Sequence, residues 1–319
     1  MDILWWLLGI VAFLLVAVAV IAYICYRMAF YAKPRKPLPA DVIEIPEGEI
    51  YEVFRESMEN WARQTRAMSH EEFTITSYDG LTLKGRFYEY APGATIELMF
   101  HGYRGSAERD LPGGVQRGFK LGRSVLLVDQ RCSGGSQGHT ITFGIREHKD
   151  CLSWVDFMVK HFGPDVKIIL TGISMGAATV LMASNKALPP QVIGVLADCG
   201  YSSPKEIIQT VIAQMGLPVG LSYPFVKLGA RLYGGFDLEC DSPIESVKQA
   251  KVPVIFFHGE TDDFVPCHMS RAMYAVCPTR KKLVTIPNAG HGLSYVVAPE
   301  MYLTALEEFF GEPVKGAKP

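Results

Sequence analysis

The segment Lys167-Ile168-Ile169-Leu170-Thr171-Gly172-Ile173-Ser174-Met175-Gly176-Ala177-Ala178 sets a serine between two glycines, after an apolar, β-branched run and ahead of an Ala-rich one. A serine that must attack is held out on a sharp turn, and glycines at Gly172 and Gly176 remove Cβ atoms that would collide there. The bare Gly-x-Ser-x-Gly pattern also arises by chance. Its context argues for a nucleophile elbow: Val166 to Leu170 reads as a buried parallel strand, and Ala177 to Ala183 as a packed helix.

A serine hydroxyl is a poor nucleophile at neutral pH, so it needs a general base in reach and an acid to orient that base. Val254-Ile255-Phe256-Phe257 leads into His258-Gly259-Glu260-Thr261-Asp262-Asp263-Phe264-Val265-Pro266, and Asn288-Ala289-Gly290-His291-Gly292 follows the next strand-like run. Ser174, an aspartate at 262 or 263, and His291 thus come in the order nucleophile, acid, base, each just past a predicted strand. The carboxyl ends of parallel strands meet at one sheet edge, which would bring the three together. Singly, acidic loop residues are mostly solvated turn formers and lone histidines mostly structural; the joint order carries the inference.

Acyl transfer also requires donors for the tetrahedral oxyanion. The backbone N–H of Met175, directly after the serine, is one. The other is expected from His101-Gly102-Tyr103-Arg104-Gly105-Ser106, with Tyr103 N–H the choice; the Tyr103 ring is either an acyl-pocket wall or a structural aromatic. His70, His139, His148, His161 and His268 lack zinc-ligand spacing, so neither metal nor cofactor is expected.

The elements that must position these residues read as an alternation. Phe73 to Tyr78 and Leu81 to Tyr88 flank Asp79-Gly80, a two-residue hairpin signal. Thr95 to Phe100, Ser124 to Asp129, Val166 to Leu170, Val192 to Ala197, Val252 to Phe257 and Lys282 to Ile286 follow, with helical stretches such as Glu147 to His161 between most of them. This predicts an α/β fold with a mainly parallel sheet covered by helices and antiparallel strands at the first edge. Between Tyr201 and Lys248 prolines and glycines loosen the rhythm, read either as a small helical cap over the active site, about 201–248, or as ordinary connecting helices.

With 319 residues and a net charge of −2, the chain fits one large domain plus an appendage, and its scattered basic residues form no stripe for nucleic acid. Ile3 to Cys25 carries no charge and spans about 34 Å as a helix, enough for a hydrocarbon core of about 30 Å. A membrane anchor over 1–26 is expected. A cleaved signal peptide fits less well, because no Lys or Arg precedes the apolar run, the run is long, and no small-x-small site follows. Arg27, Lys33, Arg35 and Lys36 after the helix place the domain on the cytoplasmic side, and seven cysteines without a tight pattern suit reduced thiols. Residues 27–48 form a Pro-rich basic linker, in which Lys33 to Pro39 reads as a stiff spacer holding the domain off the headgroups. Residues 49–70 form an amphipathic helix packed on the domain, with Ile50, Val53, Phe54, Met58, Trp61, Thr65 and Met68 on one face. The main domain is 71–312, and 313–319 is a tail.

His101-Gly102-Tyr103, Asp129-Gln130-Arg131-Cys132-Ser133-Gly134-Gly135-Ser136-Gln137-Gly138, Gly172-x-Ser174-x-Gly176, Asp262 and Gly290-His291 together resemble an α/β-hydrolase of the serine esterase, lipase and serine-aminopeptidase type, from about Phe73 to Phe310. The anchored form with a small cap is similar to the Bem46-like group. The resemblance implies an α/β-hydrolase fold and acyl hydrolysis. Through the family pattern Gly-x-x-Asp-x-x-Val it also selects Asp262 rather than Asp263 as the acid. It further implies that 129–138 is a structural loop near the site; Cys132 stands where the family more often has glycine. A serine nucleophile argues against the dehalogenase and epoxide-hydrolase branches, which use aspartate. The expected activity is ester cleavage through a Ser174–His291–Asp262 triad and an acyl-enzyme, on a small-molecule or lipid acyl ester. The alternatives are a serine peptidase or aminopeptidase, for which Glu206, Asp237, Glu239 and Asp241 offer carboxylates for a free amine, a lipid acyltransferase, and a noncatalytic scaffold.

Overall fold

A computed structural model describes residues 2–33, 39 and 42–311. Most of the stretch expected to act as a spacer, and the tail 313–319, lie outside the described residues. The chain opens with α1 (Asp2–Ala29), followed by the short α2 (Glu49–Glu52) and by α3 (Arg55–Ala67). The strands are β1 (Glu71–Thr76), β2 (Thr82–Tyr88), β3 (Ile96–Phe100), β4 (Ser124–Asp129), β5 (Ile168–Ile173), β6 (Val192–Asp198), β7 (Val254–Gly259) and β8 (Lys281–Ile286). They form one sheet in the order β1-β2-β4-β3-β5-β6-β7-β8. β1, β2 and β4 pair antiparallel in succession, and every pairing from β4 to β8 is parallel.

Residues of β3, β4 and β7 are buried along their whole length, as expected of central parallel strands whose apolar runs do not alternate. β1 alternates exposed and buried residues and sits at the edge. The β1–β2 connection differs from the two-residue turn expected at Asp79-Gly80. Ser77 N–H donates to Leu81 O at 2.8 Å, which leaves a three-residue loop of Tyr78, Asp79 and Gly80, with Gly80 at φ 89°. The Ser77 hydroxyl both accepts from Leu81 N–H and donates to Asp79, whose carboxylate is drawn away to the Arg131 guanidinium at 3.0 Å.

Between β3 and β4 lie α4 (Ala107–Asp110) and α5 (Pro112–Lys120); α6 (Glu147–Phe162) precedes β5 and α7 (Met175–Ala183) follows it. After β6 come α8 (Pro204–Gln214), α9 (Val219–Leu232) and α10 (Pro243–Val247), and then α11 (His268–Val276), α12 (Ser294–Val297) and α13 (Pro299–Phe310). One face of the sheet carries α6 and α7, with Trp154 and Leu181 fully buried in its core. The other carries α5 and α13, with Tyr302 stacked on Phe257 at 3.6 Å between ring centres.

Helix α1 is not a free tether. It is apolar and long enough to cross a bilayer, yet its last turns pack on the domain. Gly229 of α9 lies against Ala22, where a Cβ would stand 2.4 Å from the Ala22 carbonyl oxygen, and the Tyr233 hydroxyl donates to Ala19 O at 3.0 Å. Rising numbers in α9 therefore meet falling numbers in α1, so the two run antiparallel. Phe30 is fully buried, edge-on to Phe143 and Phe236, and Ile141 N–H donates to Phe30 O at 2.8 Å. The spacer expected between anchor and domain is thereby corrected: the domain is already gripped by residues 19–32, ahead of Lys33 to Pro39. Replacing Phe30 by alanine should cost about 3 kcal/mol of domain stability, as large-to-small changes in a packed core do. Phe13→Ala, in the exposed part of the same helix, should cost nothing, and urea denaturation of the full chain in detergent compares the two.

Candidate active site

Ser174 sits between β5 and α7 at φ 55° and ψ −116°, a strained conformation for a residue with a Cβ. The sharp turn is tolerated because its neighbours carry no side chain. A Cβ on Gly172 would fall 2.1 Å from Gly176 O, and one on Gly176 would fall 2.0 Å from Phe100 O. The first turn of α7 is thus pressed against the end of β3, and Ser174 N–H is held by Asp198 O of β6 at 2.9 Å.

Three loops at the carboxyl edge of the sheet converge on this serine. His291, in the loop after β8, has Nε2 at 2.9 Å from Ser174 Oγ and Nδ1 at 2.7 Å from Asp262 Oδ2. Because the carboxylate accepts from Nδ1–H, Nε2 carries the lone pair and accepts from the serine hydroxyl. Asp262, in the loop after β7, is buried, which by itself raises its pKa. Hydrogen bonds from His258, His291 and Val265 N–H overcome that and hold its carboxyl down at about 2. Its second oxygen accepts from Phe264 N–H at 3.1 Å and Val265 N–H at 2.8 Å. Asp263 takes no part in this arrangement, and its carbonyl accepts from Gln214 at 2.6 Å.

The loop after β3 lies alongside. Gly102 is so close that a Cβ there would touch Ser174 Cβ at 3.6 Å. Gly102 N–H is taken by Asp110 at 3.0 Å, whereas among the described residues neither Tyr103 N–H nor Met175 N–H has an acceptor. The loop is braced from below by Gln130 of the 129–138 segment. Gln130 N–H donates to His101 Nε2 at 3.0 Å, its amide donates to His101 O at 2.6 Å, and its Oε1 accepts from Thr179 of α7 at 3.0 Å. Burial pushes the His101 pKa down, which suits the neutral ring that accepts at Nε2 and donates from Nδ1 to Gly102 O.

Two participants escaped the sequence reading. His258 is fully buried beneath the acid: its Nε2–H donates to Val265 O at 2.7 Å and lies 3.3 Å from Asp262 Oδ2, while Nδ1 faces the Ser270 hydroxyl at 2.7 Å. Tyr51 of α2 donates to His291 O at 3.0 Å. A histidine ending a strand and a tyrosine in an amphipathic stretch have bland readings in sequence; only their long-range partners give them a role. Cys199 lies close to Asp262 and His291, but burial pushes its thiol well up, away from the thiolate a metal would need.

A cavity of about 210 Å³ opens at Ser174 and His291. Its walls include Met58, Trp61, Met99, Leu196, Phe264 and Tyr295. The roof is supplied by residues 46–61, not by the segment expected to form a cap. Among the described residues lining the cavity none comes from 201–248. The apolar faces of α8 and α9 are spent instead on α1 and on the core around Phe143 and Tyr201.

Comparison with known proteins fits this geometry. The solved esterase Pf2001 of Pyrococcus furiosus superposes with a TM-score of 0.65 at 19% identity, covering 89% of this chain and 98% of that one. The chain has the α/β-hydrolase fold. A family model described as serine hydrolase (FSH1) matches residues 145–293 of the chain, the stretch holding Ser174, Asp262 and His291. Its relatives include the uncharacterized protein YqkD of Bacillus subtilis, 26% identical over 93% of this chain and 94% of that protein. Bem46 of Schizosaccharomyces pombe is 24% identical over 70% and 71% respectively.

The depressed acid makes stability pH-dependent with a definite sign. Asp262 titrates near 3.8 when unperturbed and about 2 in the folded α/β-hydrolase, so its contribution is complete above pH 4 and lost as pH falls to 2. The shift corresponds to about 2 kcal/mol. Denaturation curves between pH 6 and pH 2 should show Asp262→Asn losing about that much less stability on acidification than the unaltered chain.

Proposed function

We propose that this α/β-hydrolase cleaves carboxylic esters by nucleophilic catalysis, with Ser174 as nucleophile, His291 as general base and acid, and Asp262 as the residue orienting His291. The reading rests on one observation above all: the 2.9 Å and 2.7 Å contacts that link Ser174 Oγ, His291 and Asp262 in a single chain of hydrogen bonds. In the first half-reaction Oγ adds to the ester carbonyl carbon while its proton passes to Nε2. The carbonyl oxygen, now negative, takes hydrogen bonds from Tyr103 N–H and Met175 N–H, which have no acceptor among the described residues. The C–O bond to the alcohol breaks, and the alcohol leaves with the proton from Nε2. Water then repeats the sequence on the acyl-enzyme, giving Nε2 its proton, and releases the acid and free Ser174.

The mostly apolar cavity favours an uncharged acyl group, and its size favours a short one. Peptide hydrolysis after a free amine draws less support, because Glu206, Asp237, Glu239 and Asp241 are all absent from the cavity wall. Glu239 is engaged by Lys227 and Tyr223, and Asp241 by Lys186. Neither metal nor cofactor enters this chemistry. Helix α1 serves as the membrane anchor, and Arg27 and Lys33 after it, together with seven unpaired cysteines, favour a cytoplasmic catalytic domain.

A fluorophosphonate probe should label the full chain at Ser174. Ser174→Ala should lose both labelling and ester turnover while melting as the unaltered chain does; retained turnover would refute the nucleophile. Asp262→Asn should lower kcat by about 10³ to 10⁴, as loss of the orienting carboxylate does. Asp263→Asn should stay within threefold, and steady-state kinetics on p-nitrophenyl esters ranks the two.

A further inference from the structure

The loop proposed to stabilise the oxyanion is fastened to the end of the apolar helix. Arg104 follows Tyr103 and sits at φ 52°, a left-handed conformation that a side chain makes unfavourable. What holds it there is α1. Arg104 Nη2 donates to Met28 O, in the last turn of the helix, at 2.7 Å and to Tyr31 O, just past its end, at 3.2 Å. The last-turn carbonyl is a group the helix cannot satisfy internally, at the end where its dipole attracts a cation. The Tyr103 hydroxyl donates to a second last-turn carbonyl, Ala29 O, at 2.7 Å. The Tyr103 ring lies over Phe143 at 5.1 Å, and Phe143 packs edge-on against Phe30.

On the reading of Ser174 and Tyr103 given above, we propose that the carboxyl end of α1 positions the oxyanion loop, with Arg104 and the Tyr103 side chain as positioning residues acting through the Tyr103 N–H. Rotating that peptide turns the donor away from the oxyanion, and an oxyanion donor matters most at the transition state. Loosening the fastening therefore lowers kcat and leaves KM nearly unchanged. The helix is also held away from the site. It is seated against α9 at Gly229, so a Cβ at that position pushes α1 from its groove without touching any residue of the site.

The full chain, in detergent micelles, is assayed with p-nitrophenyl butyrate alongside thermal melting. Arg104→Met should lower kcat tenfold or more with KM within twofold, and Arg104→Lys, which retains a donor for one of the carbonyls, should recover part of the loss. Gly229→Ala should lower kcat in the same manner. Gly220→Ala, in the same helix with open space around it, should leave kcat unchanged. Should Gly229→Ala fail to fold, the Arg104 pair decides alone. The proposal is overturned if Arg104→Met keeps the parental kcat, or loses melting temperature with no change in kcat, while Ser174→Ala is inactive. Activity surviving in Ser174→Ala would instead remove the catalytic reading itself and this inference with it.

Discussion

The carbonyl end of β3 and the first turn of α7 approach so closely that no atom larger than hydrogen fits on Gly176, and most of the site follows from that contact. It fixes where α7 begins relative to the sheet and leaves Met175 buried at that edge. It also forces the turn at Ser174 into a positive φ, which lifts Oγ clear of the backbone toward His291. The strain is sustained because Ser174 N–H is tied to β6 on one side and the turn is closed by Gly172 on the other. A Cβ on Gly176 would have to part β3 from α7, and one on Gly172 would have to part β5 from α7; either shift would move Ser174 out of its place at the sheet edge.

The electrostatics depend on the same edge of the sheet. A carboxylate buried among Val265, Phe264 and His258 would ordinarily be expected to protonate. Four donors directed at Asp262 reverse that tendency, and its carboxylate keeps the hydrogen of His291 on Nδ1, so Nε2 presents a lone pair to Ser174. His258 has a particular place here: its Nε2–H is shared between Val265 O and Asp262 Oδ2, while Nδ1 is taken up by the Ser270 hydroxyl.

Much of this was legible in sequence, for reasons that differ by element. β4 and α6 begin where their apolar patterns begin, because buried strands and amphipathic helices announce themselves locally. Ser174, Asp262 and His291 were picked out by motif and chain order, and hydrogen bonds link the three in the fold. Less was legible where the deciding contact is distant in sequence. The turn after β1 took three residues and not two because Ser77 bonds across to Leu81 and Asp79 is drawn to Arg131, about fifty positions on. The loose segment 201–248 had the composition of a cap, but its apolar faces had a partner at the opposite end of the chain. Tyr51, His258 and Gln130 likewise draw their roles from partners that local pattern does not contain.

The docking of α1 also changes what an anchor means for this molecule. Residues Ala19 to Phe30 are committed to the domain, so the apolar helix left free runs from Ile3 to Val18, about 24 Å. A hydrocarbon core of about 30 Å is longer than that. An anchored chain makes up the difference by drawing the domain against the bilayer until the end of α9, with its exposed Leu232 and Tyr233, enters the interface. Tyr23, Tyr233 and Arg27 then stand at the depth where aromatic and basic side chains favour the boundary between headgroup and hydrocarbon. A domain on a flexible tether samples the solution above the membrane. On the reading of α1 as a membrane anchor, a domain gripped by that helix holds Ser174 at a fixed height over the lipid, and the helix that sets the height is the one fastened to the loop at Tyr103 and Arg104.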